Sequence, residues 1–253
     1  MRYLVALACL LSAFAAPAWA QTSRCADCHV ANADSSAPLW SGFAQRHLEE
    51  WDHSPHARNN VGCERCHGGD ATTFESFLAH QGILPGRNPA SPVHRANLPR
   101  TCGSCHTGPF VSFQKSRHYE QLRAGNHDVP TCSTCHGEVA ADLLSPKALG
   151  ARCDSCHGPK SAAPRPERAA NARLLQTEVR AVRESLNDAR AIIRRMKAGP
   201  EKTAFEEQWQ QAEVPLIEAR QAGHQFVFEN LEERLSVSKR RIEALLDALA
   251  NRN

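Results

Sequence analysis

The feature that most constrains this chain is the pattern Cys-x-x-Cys-His, which occurs five times within the first 157 of 253 residues. The five copies begin at Cys25, Cys63, Cys102, Cys132 and Cys153. Two side chains three positions apart lie close together on a helical turn. Each copy can therefore bond a flat ligand at two points along one edge, and the next residue can place its imidazole over the centre of that ligand.

This pattern is the attachment signature of c-type haem, in which the His binds the iron. Zinc is the main alternative, because Cys-x-x-Cys pairs also form zinc sites, but zinc needs no His directly after every pair. Disulfides would also leave the five His unexplained. We therefore predict five covalently bound haem c groups. The predicted attachment residues are Cys25, Cys28, Cys63, Cys66, Cys102, Cys105, Cys132, Cys135, Cys153 and Cys156, and the predicted proximal iron ligands are His29, His67, His106, His136 and His157.

Eight further His are available as distal ligands, which is more than five irons require. Methionine is scarce after the first 20 residues, where only Met196 remains. Bis-His ligation is therefore expected at most haems, and it gives lower potentials than His/Met ligation. We predict four distal ligands that lie shortly before a motif, two of them in a Ser-x-His pattern. They are His56 and His118, which follow that pattern, and His94 and His47.

Four other His are more ambiguous. His127 lies in a polar turn and is either a distal ligand or a solvated loop residue. His224 lies where a helical repeat slips, and it is either an interhelix residue or a distal ligand that joins the C-terminal segment to the haems. We predict that His53 is a surface residue. We predict that His80, which follows a short apolar stretch, is a buried structural His.

The N-terminus has the pattern of a secretory signal peptide. Arg2 precedes an apolar run over residues 4–16, and an Ala-x-Ala site predicts cleavage after Ala20. No later stretch is long and apolar enough to span a bilayer, so we expect an exported, periplasmic protein. The net charge of +3 and the scattered basic residues give no indication of nucleic-acid binding.

We divide the remaining sequence into a haem region, residues 21–163, and a helical tail, residues 164–253. The haem region is too short to give five haems a separate polypeptide core, since ~100–150 residues is usual for one domain. We therefore predict a mostly α fold with extensive loops, in which the haems themselves form the core. The first cysteines of successive motifs are 38, 39, 30 and 21 residues apart, so neighbouring haems should lie close together.

The helical tail has a heptad pattern of apolar residues that predicts a long helix. The seam is Leu175, Val179, Val182, Leu186, Ala189, Ile193 and Met196. Gly199 and Pro200 should end this helix, and a second apolar pattern runs from Phe205 to Leu249 with an interruption expected at Pro215. We predict a C-terminal antiparallel helical hairpin with an interrupted second arm, which can pack on the haem region, a second copy of the chain or a larger complex.

The chain resembles exported multihaem c-type cytochromes. This group includes pentahaem electron-transfer cytochromes, the tetrahaem acceptor of hydroxylamine oxidation and the pentahaem nitrite reductases. The resemblance rests on the five motifs over residues 25–157, the Ser-x-His elements and the long helical segment after the last motif. Those nitrite reductases typically carry Cys-x-x-Cys-Lys at the catalytic haem, whereas all five motifs here end in His. The resemblance therefore implies electron transfer rather than nitrite reduction.

Two functions follow as expectations. The first is an electron carrier that links redox partner proteins, such as a membrane quinol-oxidising cytochrome and a terminal reductase. The second is a multihaem reductase or oxidase of small nitrogen or sulfur oxyanions, which requires one haem with an exchangeable sixth position. Tyr119, beside His118, is the sole tyrosine after the leader, and it alone does not indicate catalysis. We assign no catalytic residue.

Overall fold

The computed structural model describes residues 23–31, 42–139, 144–162 and 164–252. Within these ranges the protein consists of helices and loops, without strands. The haem region contains α1 (Arg24–Ala31), α2 (Gly42–Asp52), α3 (Pro55–Arg58), α4 (Glu64–His67), α5 (Ser76–Ala79), α6 (Leu98–Gly103), α7 (Thr107–Gln114), α8 (Arg117–Arg123), α9 (Cys132–His136) and α10 (Pro146–His157). The helical tail contains α11 (Pro166–Arg195), α12 (Pro200–Ala222), a 3-10 turn (Gly223–Gln225) and α13 (Phe228–Ala250). The predicted mostly α fold is confirmed, and the signal peptide lies outside the described residues.

The haem region has few buried apolar side chains of its own. In the described part of this region they are Pro99, Phe113, Leu122 and Val129, whereas the other large buried apolar side chains belong to the tail. Several apolar residues near α5 are instead exposed, including Phe77, of which 82% is accessible. A segment of this length would not fold stably on so small a core. The haem region therefore depends on a further apolar group for its stability.

The helical tail is a bundle of three helices in which neighbours in sequence run antiparallel. Trp209 on α12 donates from Nε1 to the carbonyl of Leu186 on α11 at 2.7 Å. Arg252, just after α13, lies 3.1 Å from Glu201 at the start of α12. All seven residues of the predicted seam on α11 and just after it are buried. The long first helix was therefore predicted correctly, whereas the second arm of the predicted hairpin is two separate helices.

The division of the second arm does not occur at Pro215. Helix α12 continues through Pro215 to Ala222, and the chain reverses at Gly223–Gln225. Proline has no N–H for the carbonyl four residues earlier, which here belongs to Gln211. Arg241 on α13 donates to that carbonyl at 2.7 Å and replaces the missing partner. Of the kink or break expected at Pro215, the break does not occur, because a neighbouring helix satisfies the orphaned group.

The tail meets the haem region at two places. Helix α10 packs along the start of α11, where a Cβ on Gly150 would lie only 3.2 Å from the carbonyl oxygen of Ala169. The turn after α12 packs against α7 and α8, with the ring of Phe226 at 6.3 Å from that of Phe113. Within the described ranges, no helix is both long and apolar enough to cross a membrane. The Gly223–Gln225 turn lies beside the last two motifs, since His224 faces His136 and the adjacent Phe226 meets His118, which faces His157.

Candidate haem-binding sites

Each Cys-x-x-Cys-His motif lies on or at the end of a helix. The first motif lies on α1, the fourth on α9 and the fifth at the end of α10. The second consists of Cys63 and α4, and the third begins at the end of α6 and continues for three residues beyond it. Their ten thiols form no disulfide. We number the sites 1 to 5 in chain order, by the first cysteines Cys25, Cys63, Cys102, Cys132 and Cys153. The helical turns bring the two thiols and the imidazole of each motif to one side, as haem attachment requires.

The five attachment points follow one another in space in the order of the sequence. Burial and the nearby thiol of Cys25 raise the pKa of Cys63 at site 2 to about 11. Burial and the thiols of site 3 raise the pKa of Cys66. Cys102 at site 3 hydrogen-bonds Cys132 at site 4, which raises the pKa of Cys102. Burial and then the thiol of Cys153 at site 5 raise the pKa of Cys135 at site 4. Consecutive sites are therefore direct neighbours.

Each motif His faces the ring of a second His that lies outside the motifs. The ring centroids are between 5.8 and 6.1 Å apart in all five cases. The pairs are His29 with His80, His67 with His47, His106 with His56, His136 with His224, and His157 with His118. Sites 1 to 5 thus each combine two thiols with two opposed imidazoles.

This spacing fits an iron held between two axial imidazoles. With a metal–nitrogen bond of about 2.0 Å on each side, two rings opposite one another have centroids about 6 Å apart. Two rings on a tetrahedral metal would be closer, at about 5 Å, because their bonds meet at an angle. The donor sets therefore suit haem, whose porphyrin leaves only the two opposite positions for protein ligands. They do not suit tetrahedral zinc.

The Ser-x-His pattern has a structural explanation. Ser54 is the N-cap of α3 and accepts a hydrogen bond from the N–H of Ala57 at 3.2 Å. Ser116 caps α8 in the same way and accepts from the N–H of Tyr119 at 3.1 Å. A capping Ser starts the helix. In both helices the His lies two residues after the cap, so the first turn presents its imidazole to a motif His.

Three of the distal His are held by hydrogen bonds from Nδ1 to a backbone carbonyl. His56 bonds Val139 at 2.9 Å, His80 bonds Ser76 at 2.7 Å, and His224 bonds Arg220 at 3.0 Å. A carbonyl accepts only, so Nδ1 carries the proton and Nε2 keeps its lone pair for a metal. Burial, followed by the charge of His136, lowers the pKa of His224, which favours the neutral form that a metal needs.

The other two distal His differ from these three. Nδ1 of His47 lies 3.7 Å from the carboxylate of Glu138. Nδ1 of His118 is buried and has no hydrogen-bond partner among the described residues. The ring of His118 instead meets the ring of Phe226 edge to face at 4.6 Å. Burial, then the charges of His157 and Arg168, lower the pKa of His118. Burial therefore favours the neutral form of His118, as it does that of His224.

Two residues that we predicted as distal ligands lie elsewhere. The rings of His94 and His127 face each other at 6.3 Å rather than facing a motif His. Nδ1 of His94 accepts a hydrogen bond from the N–H of Ala96 at 3.3 Å, so the ring proton of His94 lies on Nε2. A His that binds a metal through Nε2 carries its proton on Nδ1 instead. His127 is exposed. Their ligation stays a prediction that the geometry does not support, while His56, His118, His47 and His224 all face motif His.

Sequence reasoning missed His80, which we expected to be a buried structural residue. It is exposed in the polypeptide and faces His29 at 5.8 Å. His80 lies shortly after the second motif, whereas the distal ligands that we predicted with most support lie shortly before a motif. The exposed apolar residues just before it, Phe74, Phe77 and Leu78, were the available signal. His53 is exposed, as expected, and bonds the carbonyl of Glu49 at 2.8 Å.

Comparisons with known proteins agree with this geometry. Residues 12–68 match the family described as cytochrome c554 and c-prime. Residues 89–158 match the family described as cytochrome c7 and related cytochrome c. The chain is also similar to the C-type polyheme cytochrome OmcC of Geobacter sulfurreducens, with 30% identity over 128 residues, which is 47% of this chain. The match spans 15% of the length of that curated relative.

No solved structure matches the chain at a significant level. The two family matches together include all five motifs. With the motif helices and the opposed imidazoles, they identify the chain as a multihaem c-type cytochrome, a class of protein that binds haem c covalently.

Proposed function

We propose that this cytochrome carries five bis-His haems in one row and conducts electrons along them. The observation that carries the proposal is the set of five opposed imidazole pairs, one at each motif, with similar centroid distances. Two imidazoles fill both axial positions of an iron. An iron with both positions filled exchanges electrons without binding a substrate.

The order of the attachment points supports conduction along a row. The thiols of sites 1 and 2, 2 and 3, 3 and 4, and 4 and 5 are close enough to affect one another. Porphyrins attached to neighbouring thiols lie near one another. In this proposal electrons enter at the haem near one end of the row, pass from each haem to the next, and leave from the haem near the other end.

Bis-His ligation places the potentials of these haems low in the range of c-type cytochromes, since a thioether ligand would raise them. We propose that the donor is a membrane quinol-oxidising cytochrome and that the acceptor is a terminal reductase or another cytochrome. The protein acts outside the cytoplasm in this proposal, because its N-terminal sequence has the pattern of a signal peptide.

The helical tail serves two purposes in this proposal. It supplies His224 to site 4, and it offers a surface for a redox partner or a second copy of the chain. Leu174, Val214 and Ile217 on its outer faces remain exposed. Such apolar side chains are a usual component of protein interfaces.

The proposal is tested by counting haems and the spin states of their irons. The mass of the intact protein should exceed that of the polypeptide by the mass of five haems. The ferric protein at rest should give low-spin electron paramagnetic resonance signals without a high-spin component. Stepwise reduction should then convert all five haem irons from the ferric to the ferrous state. A count below five, or a high-spin signal at rest, would contradict the proposal and favour an oxyanion reductase with an open haem.

A further inference from the structure

Site 5 differs from the other sites in how its distal ligand is held. Three of the other distal His donate from Nδ1 to a carbonyl at 3.0 Å or less. Nδ1 of His47 faces the carboxylate of Glu138 at 3.7 Å, which is too long for a hydrogen bond but close enough for an ion pair. For His118, Nδ1 is buried without a hydrogen-bond partner in the described part of the chain. The ring of His118 is thus oriented by packing rather than by a hydrogen bond.

The packing partner of His118 comes from the helical tail. Phe226 presents its ring to His118 at 4.6 Å with an angle of 87° between the planes. Its backbone has φ of 59°, in the left-handed region that large side chains rarely adopt. Such a conformation is strained and persists only where surrounding contacts enforce it. The contact that positions His118 therefore lies on a turn that is itself held in place by the bundle.

A missing hydrogen bond at Nδ1 changes the strength of the ligand. A partner that accepts the Nδ1 proton increases the basicity of the imidazole and fixes its ring. Loss of such a partner typically costs about 10–100-fold in metal affinity. His118 should therefore be a weaker electron donor to its iron than His56, His80 or His224.

A nearby positive charge acts in the same direction. Arg168 interacts electrostatically with His118, donates to the carbonyl of Phe226 at 3.4 Å and lies over the ring of Phe228 at 5.5 Å. Glu167 is 3.7 Å from Arg168 and offsets part of this charge, although both groups are partly solvated. A cation near a haem disfavours the more positive ferric state. Arg220 interacts in the same way with His224 at site 4, so the charge adds to the effect at site 5, and the missing hydrogen bond is what distinguishes His118 from His224. Both effects make the haem at site 5 easier to reduce.

Taken together, these contacts lead us to propose that site 5 holds the highest-potential haem of the row and that His118 is its exchangeable ligand. This inference rests on the proposed function, because it presupposes a bis-His row. Electrons then collect at the C-terminal end of the row. His157 and His118 would hold the haem at this site. Release of Nε2 of His118 with its electron pair would leave a position for a small neutral ligand such as carbon monoxide, which supplies a pair of its own, so no oxidation state would change.

Carbon monoxide binding to the fully reduced holoprotein provides the first test. The wild-type protein should bind about one equivalent per chain. In His118→Ala the number should remain one, because the same iron binds the gas. In His47→Ala it should rise to two, because a second iron is opened. No binding by the wild type would overturn the inference, as would an increase to two equivalents in His118→Ala.

Variants of the packing contact provide the second test. Phe226→Ala should accelerate carbon monoxide binding by about tenfold or more, as expected for the loss of an outer contact to a metal ligand. Phe228→Ala is the matched control, since this Phe lies under Arg168 and has no ring contact with His118 among those described. Equal rates in the two variants would contradict the role of Phe226.

Potentiometry separates this inference from the proposed function. In a stepwise reduction, the first haem to lose its ferric low-spin signal should be the one whose signal is absent from His118→Ala. If five low-spin haems are reduced in another order and none binds carbon monoxide, the proposed row of five bis-His haems is supported, but the proposal that site 5 differs from the others is wrong. If five low-spin haems are not found, the proposed function itself fails.

Discussion

The rings of His136 and His224 lie nearly parallel, with 18° between their planes and 6.1 Å between their centroids, although 88 residues separate them in sequence. His136 ends a short motif helix, whereas His224 lies on the turn between two helices of the tail. In the proposed row of haems the tail is therefore more than an appended bundle, because it would supply one of the two iron ligands of site 4.

Replacement of His224 should open site 4. In His224→Ala the iron would lose its distal imidazole, so about one haem in five should change from low-spin to high-spin, as judged by electron paramagnetic resonance of the ferric protein. His127→Ala is the matched control, because His127 faces His94 rather than a motif His. An unchanged spectrum for His224→Ala, or a high-spin signal in His127→Ala, would refute this pairing.

His80 should be a ligand of site 1 despite its exposure in the polypeptide. His80→Ala should create one high-spin haem, whereas His53→Ala should not, because Nδ1 of His53 only bonds its own helix at Glu49. Resonance Raman spectra of the ferric variants distinguish the two spin states. A low-spin site 1 in His80→Ala would show that another residue holds this iron.

Arg241 should stabilise the helix that contains Pro215. Arg241→Ala leaves the carbonyl of Gln211 without its donor, and we expect a loss of about 1 kcal/mol in the free energy of unfolding of the tail. Thermal unfolding followed by circular dichroism measures this change. Pro215→Ala restores the helical N–H, so Arg241→Ala should cost less in that background. An equal cost in both backgrounds would show that Arg241 acts in another way.

Haem attachment should be required for the haem region but not for the bundle. The tail has its own buried core, which includes Trp209, Leu235 and Ile242, whereas the described haem region buries few apolar residues. A full-length chain with the motif cysteines replaced by serine should keep helical circular dichroism from the tail. Limited proteolysis should then leave a fragment that begins near Pro164. Uniform digestion of the whole chain would contradict this division.

Local patterns in the sequence predicted several features well because their causes are local. The heptad seam from Leu175 to Met196 is buried as its periodicity indicated. The Ser-x-His pattern selected His56 and His118, and both of these residues face motif His. The helical class and the cofactor also followed, since each motif contains its own attachment chemistry.

The features that sequence reasoning missed depend on tertiary contacts. His80 reaches back to a motif 51 residues earlier, and no rule of proximity along the chain selects it. His94 and His127 lie before motifs yet face each other, because Arg95 joins their loops by donating to the carbonyls of His127, at 2.8 Å, and Val129. Pro215 remains helical because Arg241 comes from a different helix. In each case a distant residue decides the outcome.

The order of the five sites along the chain has a consequence for biogenesis. If the chain is exported with its N-terminus first, as we propose, it exposes sites 1 to 5 one after another, and each new porphyrin would arrive beside one that is already attached. Sites 1 and 4 are the exceptions, since His80 emerges 51 residues after His29 and His224 emerges nearly ninety residues after its motif. Maturation of the whole row therefore waits for the final helices, and a truncated chain would be left with an unfinished iron that cellular quality control could recognise.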